Sequence, residues 1–295
     1  MRFRPSFVRR FTLMYYAMLI LYTLYVLLDT FVIPRSYQAQ TAPEVNSIPQ
    51  AVTITDTGYT DQNVTIRLTQ HRVYDTEVYV AEVLLASPAH LKTAFARQTY
   101  GRNITAPVSE IAVDCGAVLA INGDYYSARS GYVLRNGEMY REGRKSDQDM
   151  LVIDAQGDFC IVNEKDASTD LLSQMSAQQA LSFGPTLIEN GKISVDETTE
   201  ISGKSMVSNP RTALAQLGSC HYLFVVSDGR TGESAGLTLY QLAEFLSSLG
   251  AQTAYNLDGG GSSTLVFNGR VINKPTTSGR TVSERSVSDI VCIIP

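Results

Sequence analysis

The stretch NLDGGGSSTLV, residues 256–266, sets one acid, three glycines and two serines between two apolar runs. Such a pattern suits a phosphate cradle, a tight turn, or a backbone-lined floor on which an acid meets a ligand. A phosphate cradle needs a helix after the glycines, because free helix N–H groups then point at the anion. Here TLVFNGRVI follows, which reads as a strand, an Asn268-Gly269 turn and a returning strand. The lysine of a nucleotide-phosphate loop is also missing, so the nucleotide readings are set aside.

Asp258 has a counterpart. HYLFVVSDGR ends on Asp228-Gly229 and AQTAYNLDGG on Asp258-Gly259, and TLYQLAEFLSSLG lies between them. In that middle run Leu239, Leu242, Ala243, Leu246 and Leu249 follow helical spacing, Thr238 and Gln241 form a capping box, and Gly250 ends the helix. Strand, helix and strand predict a crossover that aligns the two strands in parallel. Both carboxylates then emerge on one rim, about 5 Å apart if the strands are neighbours and about 10 Å with one strand between them. Ligand sites favour such strand ends.

Further polar groups collect beside apolar runs. AINGDYYSARSGY brings Asn122 and Asp124 to a strand end, and SNPRTALAQ brings Arg211 and Thr212 to a strand entrance. DGRTGESAGLTL adds Arg230, Glu233, Ser234 and Thr238 ahead of the crossover helix, whose N-terminus can receive an anion.

The elements that must position these groups are mostly strands. VYVAEVLLA (78–86) and GAVLAIN (116–122) read as buried strands, and YVLRNGEMY, TLIENGKIS and TLVFNGRVI as Asn-Gly hairpins. Helix is further expected over 170–181 and, faintly, at AFARQTYG. The fold class is α+β: a mixed β-sheet domain with antiparallel hairpins and at least one βαβ crossover.

A single transmembrane helix precedes it. Residues 11–33 are apolar apart from Asp29 and long enough to span a bilayer. Their length, their tyrosines and the missing small-residue cleavage site favour an uncleaved anchor over a signal peptide. Arg2, Arg4, Arg9 and Arg10 precede the span and Arg35 follows, which assigns residues 1–10 to the cytoplasm and the rest to the outside. A polar stalk over 34–50 and a catalytic domain over 51–295 complete the plan of a single-pass cell-membrane protein.

Residues 1–35 hold five arginines and one aspartate, so the remainder carries a net −9 and is no nucleic-acid binder. The four cysteines form no CxxC pair and read as buried free thiols, with disulfides open to an extracellular chain. The three histidines are scattered, which disfavours histidine triads and zinc pairs.

Taken in order, INGDYY, FGPTLIENGK, NPRTALAQ, DGRTGESAGLTLYQLAEFLSSLGAQTAYNLDGGGSSTLV and SERSVSDIVCI resemble the phosphodiester glycosidase family, from about residue 70 to the C-terminus. Two positions depart from its pattern: Asn209 stands where the family often has histidine, and Asp124 replaces a glycine. The resemblance implies a mixed α+β catalytic domain that hydrolyses a sugar 1-phosphodiester of an envelope glycopolymer or exopolysaccharide, without a cofactor. Asp258, Asp228 and Asp124 are then the candidate catalytic acids. Asn122, Arg211, Thr212, Arg230 and Arg285 are candidates to bind the substrate, with the Gly259, Gly260 and Gly261 amides and the Ser262 and Ser263 hydroxyls. Two alternatives stand beside this reading. One is a phosphodiesterase in which Asp124, Asp228, Asp258 and Asp289 hold Mg²⁺ or Ca²⁺; the other is a non-catalytic glycan-binding module.

Overall fold

The computed structural model describes residues 5–31, 35–38, 52–143, 146–198 and 207–295. Its largest sheet has nine strands. They run in the order Lys192–Ile193, Thr186–Glu189, Thr253–Asn256, Arg211–Gly218, His221–Ser227, Thr76–Leu85, Val64–Val73, Gly58–Thr60 and Thr53–Thr55. One five-stranded sheet comprises Arg270–Val271, Leu265–Phe267, Leu119–Asn122, Asp289–Ile293 and Leu91–Phe95. Another comprises Glu138–Arg141, Val133–Arg135, Ala177–Leu181, Asp149–Asp154 and Phe159–Asn163. All three contribute to one core, in which Phe224 and Val226 join Ile121, Phe267, Leu151 and Leu181.

His221–Ser227 shows why the sequence reads as it does. Tyr222, Phe224 and Val226 enter the shared core, while Leu223 and Val225 point the other way into a second core under helix Leu239–Ser248. A strand buried on both faces appears as an unbroken apolar run. The helix is capped as expected: Thr238 and Gln241 close the capping box, and Gly250 takes the positive φ of 88° that stops it. Leu239, Leu242 and Leu246 are buried against Val80, Ala213 and Val225, each contributing roughly 1.5–3 kcal/mol of transfer free energy.

Strands His221–Ser227 and Thr253–Asn256 each pair antiparallel with Arg211–Gly218, which lies between them, so they are parallel to one another. The expected crossover is therefore present and steps over one strand. The strand ends that carry Asp228 and Asp258 stand two strand spacings apart, roughly 10 Å. The three Asn-Gly hairpins also form. Asn136, Asn190 and Asn268 have φ of 51°, 52° and 47°, and the glycine after each is positive as well, the signature of a type I′ turn.

One expected helix is cut short. Only Thr169–Gln174 is helical; Ser176 has φ of 53°, and Ala177–Leu181 pairs with Asp149–Asp154. The AQQAL segment has local helical preference, but burial of Ala177, Ala180 and Leu181 as a central strand outweighs it. The faint helix at AFARQTYG is a 3₁₀ turn, Ala96–Gln98, and another, Gly260–Ser262, follows Asp258 before strand Leu265–Phe267.

Helix Pro5–Phe31 contains the window Thr12–Asp29, of mean hydropathy 1.5 and with none of it buried, long and apolar enough to cross a bilayer. Residues 1–4, 32–34 and 39–51 lie outside the described residues, and with them the end of the expected span and most of the expected stalk. Arg35–Gln38, inside that stalk, pairs antiparallel with Thr99–Arg102. The four cysteines are free thiols; Cys292 is buried and the others are half-buried.

Candidate active site

The glycine stretch forms a floor pinned from below. The Asn122 side chain donates to the Asp258 carbonyl at 2.6 Å, and the Asp258 N–H donates to the Gly123 carbonyl at 3.3 Å. The Asn122 carbonyl oxygen accepts from the Thr212 hydroxyl at 2.8 Å and the Thr264 N–H at 3.3 Å. Both Asn122 and Thr212 are fully buried. Their polar atoms are thus committed to holding the floor, whereas the resemblance implied contact with the substrate.

Asp258 lies on this floor, half-buried, with its Oδ1 accepting from the Gly259 N–H at 3.0 Å. Burial pushes its carboxyl above the usual carboxylate range, while the Ser262 hydroxyl, Arg285, the Gly259 N–H and Arg129 oppose that shift. Four buried side-chain atoms around it have no hydrogen-bond partner among the described residues: Asn256 Oδ1, Ser263 Oγ, Thr264 Oγ1 and Asp289 Oδ1. Each such atom costs about 1–3 kcal/mol.

Two guanidiniums lie over the glycines. A Cβ on Gly260 would come within 2.8 Å of the Arg230 guanidinium, and one on Gly261 within 2.7 Å of that of Arg285. Gly260 also has φ of +64°. The positive φ favours glycine at 260, and a side chain at either place would displace the guanidinium, at 261 after first meeting Thr277 Oγ1. Asn209, at the position where the resemblance leads one to expect histidine, accepts from Arg230 at 3.1 and 3.0 Å, and the Thr277 carbonyl accepts a further N–H at 2.6 Å. Arg285 is exposed. Arg211 differs: it is buried, donating to the Leu237 carbonyl at 2.9 Å and the Val207 carbonyl at 3.0 Å. Burial lowers its pKa to about 10, and the nearby charge of Arg230 adds to the effect.

The other two acids do not meet Asp258. Asp228 is buried and accepts from the Lys274 N–H at 2.8 Å, the Asn273 amide at 3.2 Å and the Tyr79 hydroxyl at 3.3 Å. Asn273 in turn holds the Ser263 carbonyl and the Leu265 N–H, both at 2.9 Å, so Asp228 reaches the glycine stretch through Asn273. Asp124 is fully buried, its Oδ1 2.9 Å from Arg135 and its Oδ2 accepting from the Ser182 N–H at 2.7 Å. Asp289 takes the other side of Arg135 at 2.8 Å. Among the described residues no three His, Cys, Asp or Glu side chains converge as a cation site. The set Asp124, Asp228, Asp258 and Asp289 is therefore not assembled around one ion.

Arg135, Asn273 and Arg129 carry no signal in one sequence, because a lone arginine or asparagine in a strand or loop does not disclose its partner. The buried Asp124–Arg135–Asp289 unit has a measurable consequence. Burial first, and the charge of Asp124 second, push the Asp289 carboxyl up to about 7; Arg135 opposes this and Asp258 adds to it. Tyr126 also lies within range of its charge. A carboxyl raised in the folded state and near 3.9 in the unfolded chain favours folding while protonated. Its contribution is full below about pH 4 and is lost as pH rises through about 7. Asp289→Asn is uncharged throughout, so its urea-unfolding free energy should fall less than that of wild type between pH 4.5 and 7.5. Equal slopes for the two proteins would mean that Asp289 is ionised across the range.

A half-buried carboxylate thus lies on a glycine floor at a strand end, with guanidiniums packed against that floor. A family model described as phosphodiester glycosidase matches residues 115–294, and the chain belongs to that family. It is 32% identical over 209 residues to the N-acetylglucosamine-1-phosphodiester alpha-N-acetylglucosaminidase of Mus musculus, covering 64% of this chain and 40% of that one. A prophage-derived uncharacterized protein of Bacillus subtilis, YomE, is 26% identical over 183 residues, covering 60% of this chain and 28% of that one. The chain thus spans well under two thirds of the length of these relatives. In fold it is similar to the catalytic domain of the zebrafish N-acetylglucosamine-1-phosphodiester alpha-N-acetylglucosaminidase, solved auto-inhibited by its pro-peptide. The TM-score is 0.62 at 20% identity, over 89% of this chain and 88% of that one.

Proposed function

We propose that the protein is a membrane-anchored extracellular hydrolase that breaks the glycosidic bond of a sugar 1-phosphodiester in a cell-envelope glycopolymer or exopolysaccharide. The observation that carries this reading is Asp258 on a floor whose glycines make room for Arg230 and Arg285. A phosphodiester oxygen leaves as a weakly basic anion, so protonation of the leaving group matters little. What the reaction needs is a carboxylate at the anomeric carbon and cations at the departing phosphate. Asp258 supplies the first, stabilising positive charge as the bond lengthens or activating water. Arg230 and Arg285 supply the second, with the Gly261 amide beside them; the Gly259 and Gly260 N–H groups are taken up by Asp258 Oδ1 at 3.0 Å and the Pro210 carbonyl at 2.8 Å, and Ser263 is buried. Asp228 acts through Asn273 to position the floor. Asn122 and Thr212 brace it, and Asp124 holds its neighbouring loop through Arg135.

The anchor is the apolar helix, and the arginines ahead of it orient the domain outward. Hydrolysis in ¹⁸O-labelled water tests the chemistry. Attack at the anomeric carbon puts label at C1 of the released sugar and none in the phosphomonoester, provided products are read before the anomeric oxygen exchanges. Label in the phosphate would mean attack at phosphorus and overturn the glycosidase mechanism. Retention of glycan with no sugar released would reduce the protein to a binding module.

A further inference from the structure

Arg129 is the charged residue near Asp258 that the proposed reaction leaves without a task. It lies in the loop after Asp124, half-buried, with its guanidinium carbon 4.2 Å from the centroid of the Phe183 ring. That distance is a cation–π contact, which holds a guanidinium in place while leaving its N–H groups free to donate. The buried carboxylates Asp124 and Asp289 are paired with Arg135 instead. The charge of Arg129 reaches Asp258, where it acts in the same direction as Arg285.

The two cationic groups rest on different elements. Arg230 and Arg285 pack on Gly260 and Gly261. Arg129 packs on the segment 182–184, which has its own anchors: Ser182 N–H to Asp124, Phe183 N–H to the Tyr255 hydroxyl at 2.9 Å, and the Gly184 carbonyl to the Asn256 amide at 2.8 Å. A Cβ on Gly131 would come within 2.2 Å of Ser182, so the Arg129 loop and this segment are in close contact. Next to Asp124, Tyr125 takes a left-handed φ of 57° and is 38% exposed. Asp124 beside it is held in the interior by Arg135 at 2.9 Å. Arg129 and Phe183 therefore form a cationic and aromatic wall, tied through the 182–184 segment to Tyr255 and Asn256 of the strand that leads to Asp258 and built on elements separate from the glycine floor.

We propose that this wall receives the glycosyl unit and that Arg129 recognises a second anionic group on it, a carboxylate or a phosphate, so that the substrate is an acidic sugar 1-phosphodiester. The proposal rests on the glycosidase reading. With the phosphodiester on Arg230 and Arg285 and the anomeric carbon at Asp258, the sugar ring is what lies toward the other flank. A guanidinium held there with free donors pairs with a planar carboxylate or a phosphate in bidentate fashion. A neutral sugar would offer those N–H donors no anionic partner.

The test uses three substrates that share a methyl phosphodiester at C1: N-acetylglucosamine, its C6-carboxylate counterpart and its C6-phosphate counterpart. Wild type should prefer one of the acidic pair over the neutral sugar by at least tenfold in kcat/KM, and the identity of the preferred one names the group. Arg129→Gln should lower all rates through Asp258 but bring the acidic-to-neutral ratio close to one, while Arg129→Lys keeps part of the preference. A uniform fall with the ratio unchanged, or no preference in wild type, would overturn the proposal. If no substrate is turned over, the hydrolase reading fails by itself. Calorimetric affinities for the same three compounds then decide this proposal, and equal binding of acidic and neutral forms overturns it.

Discussion

Replacing Asp258 with asparagine should lower kcat/KM on a sugar 1-phosphodiester by about a thousandfold or more, roughly 4 kcal/mol of transition-state stabilisation, with the fold intact. The fold should survive because asparagine keeps the shape of the side chain and can still accept from the Gly259 N–H. The Asn122 and Gly123 contacts that pin this residue are made with the Asp258 backbone, which the substitution leaves alone. What disappears is the negative charge that the proposed mechanism sets at the anomeric carbon. Burial makes that charge costly, and the Ser262 hydroxyl, Arg285 and the Gly259 N–H act to keep it. The measurement is steady-state kinetics beside a thermal melt. A variant with more than about a tenth of wild-type activity, a loss below about 1.4 kcal/mol, would show that Asp258 is neither nucleophile nor base.

Arg285 should give the second largest effect, and one that depends on the leaving group. Its guanidinium packs against Gly261, is exposed to an incoming ligand, and is near enough to Asp258 and Arg230 to alter the protonation of both. Arg285→Met should cost about a hundredfold or more on phosphodiesters, because charge develops on the departing phosphate and a preorganised cation meets it. Arg285→Lys should recover only part of this, since an ammonium cannot make the bidentate contact. The deciding measurement is a parallel series on a p-nitrophenyl glycoside of the same sugar, which has no phosphate. Both variants should lose much less there. An equal loss on the two substrate types would move Arg285 from the phosphate to the support of Asp258.

The same contacts explain why the glycines cannot be replaced quietly. Alanine at Gly261 would collide with Thr277 as well as Arg285, and at Gly260 it would also have to hold a positive φ. Two of the three glycines visible in the sequence thus lie against arginines 24 to 30 positions away, Arg285 following Gly261 and Arg230 preceding Gly260, while Gly259 faces the Pro210 carbonyl.

By itself the sequence determined most of the elements and the place of Asp258, although AQQAL, expected in a helix, became a central strand. Strand periodicity, Asn-Gly turns, the capping box at Thr238 and the apolar N-terminal run are local patterns, and local sterics and hydrogen bonding settle them within a few residues. The matched Asp-Gly endings likewise placed Asp228 and Asp258 on one rim, since strand direction follows from the crossover. Tertiary structure decided what each polar group does. Arg211–Gly218 inserts between the two strands, which separates the acids and leaves Asp228 to Tyr79, Asn273 and Lys274. Asp124 reads as a site acid until Arg135, 11 residues further along and shared with Asp289, draws it into the interior. Arg129 reads as an ordinary loop arginine until Phe183 seats it near Asp258. A side chain's charge is written in its type, but its task depends on which partners and how much water surround it, and those are set by residues distant in sequence.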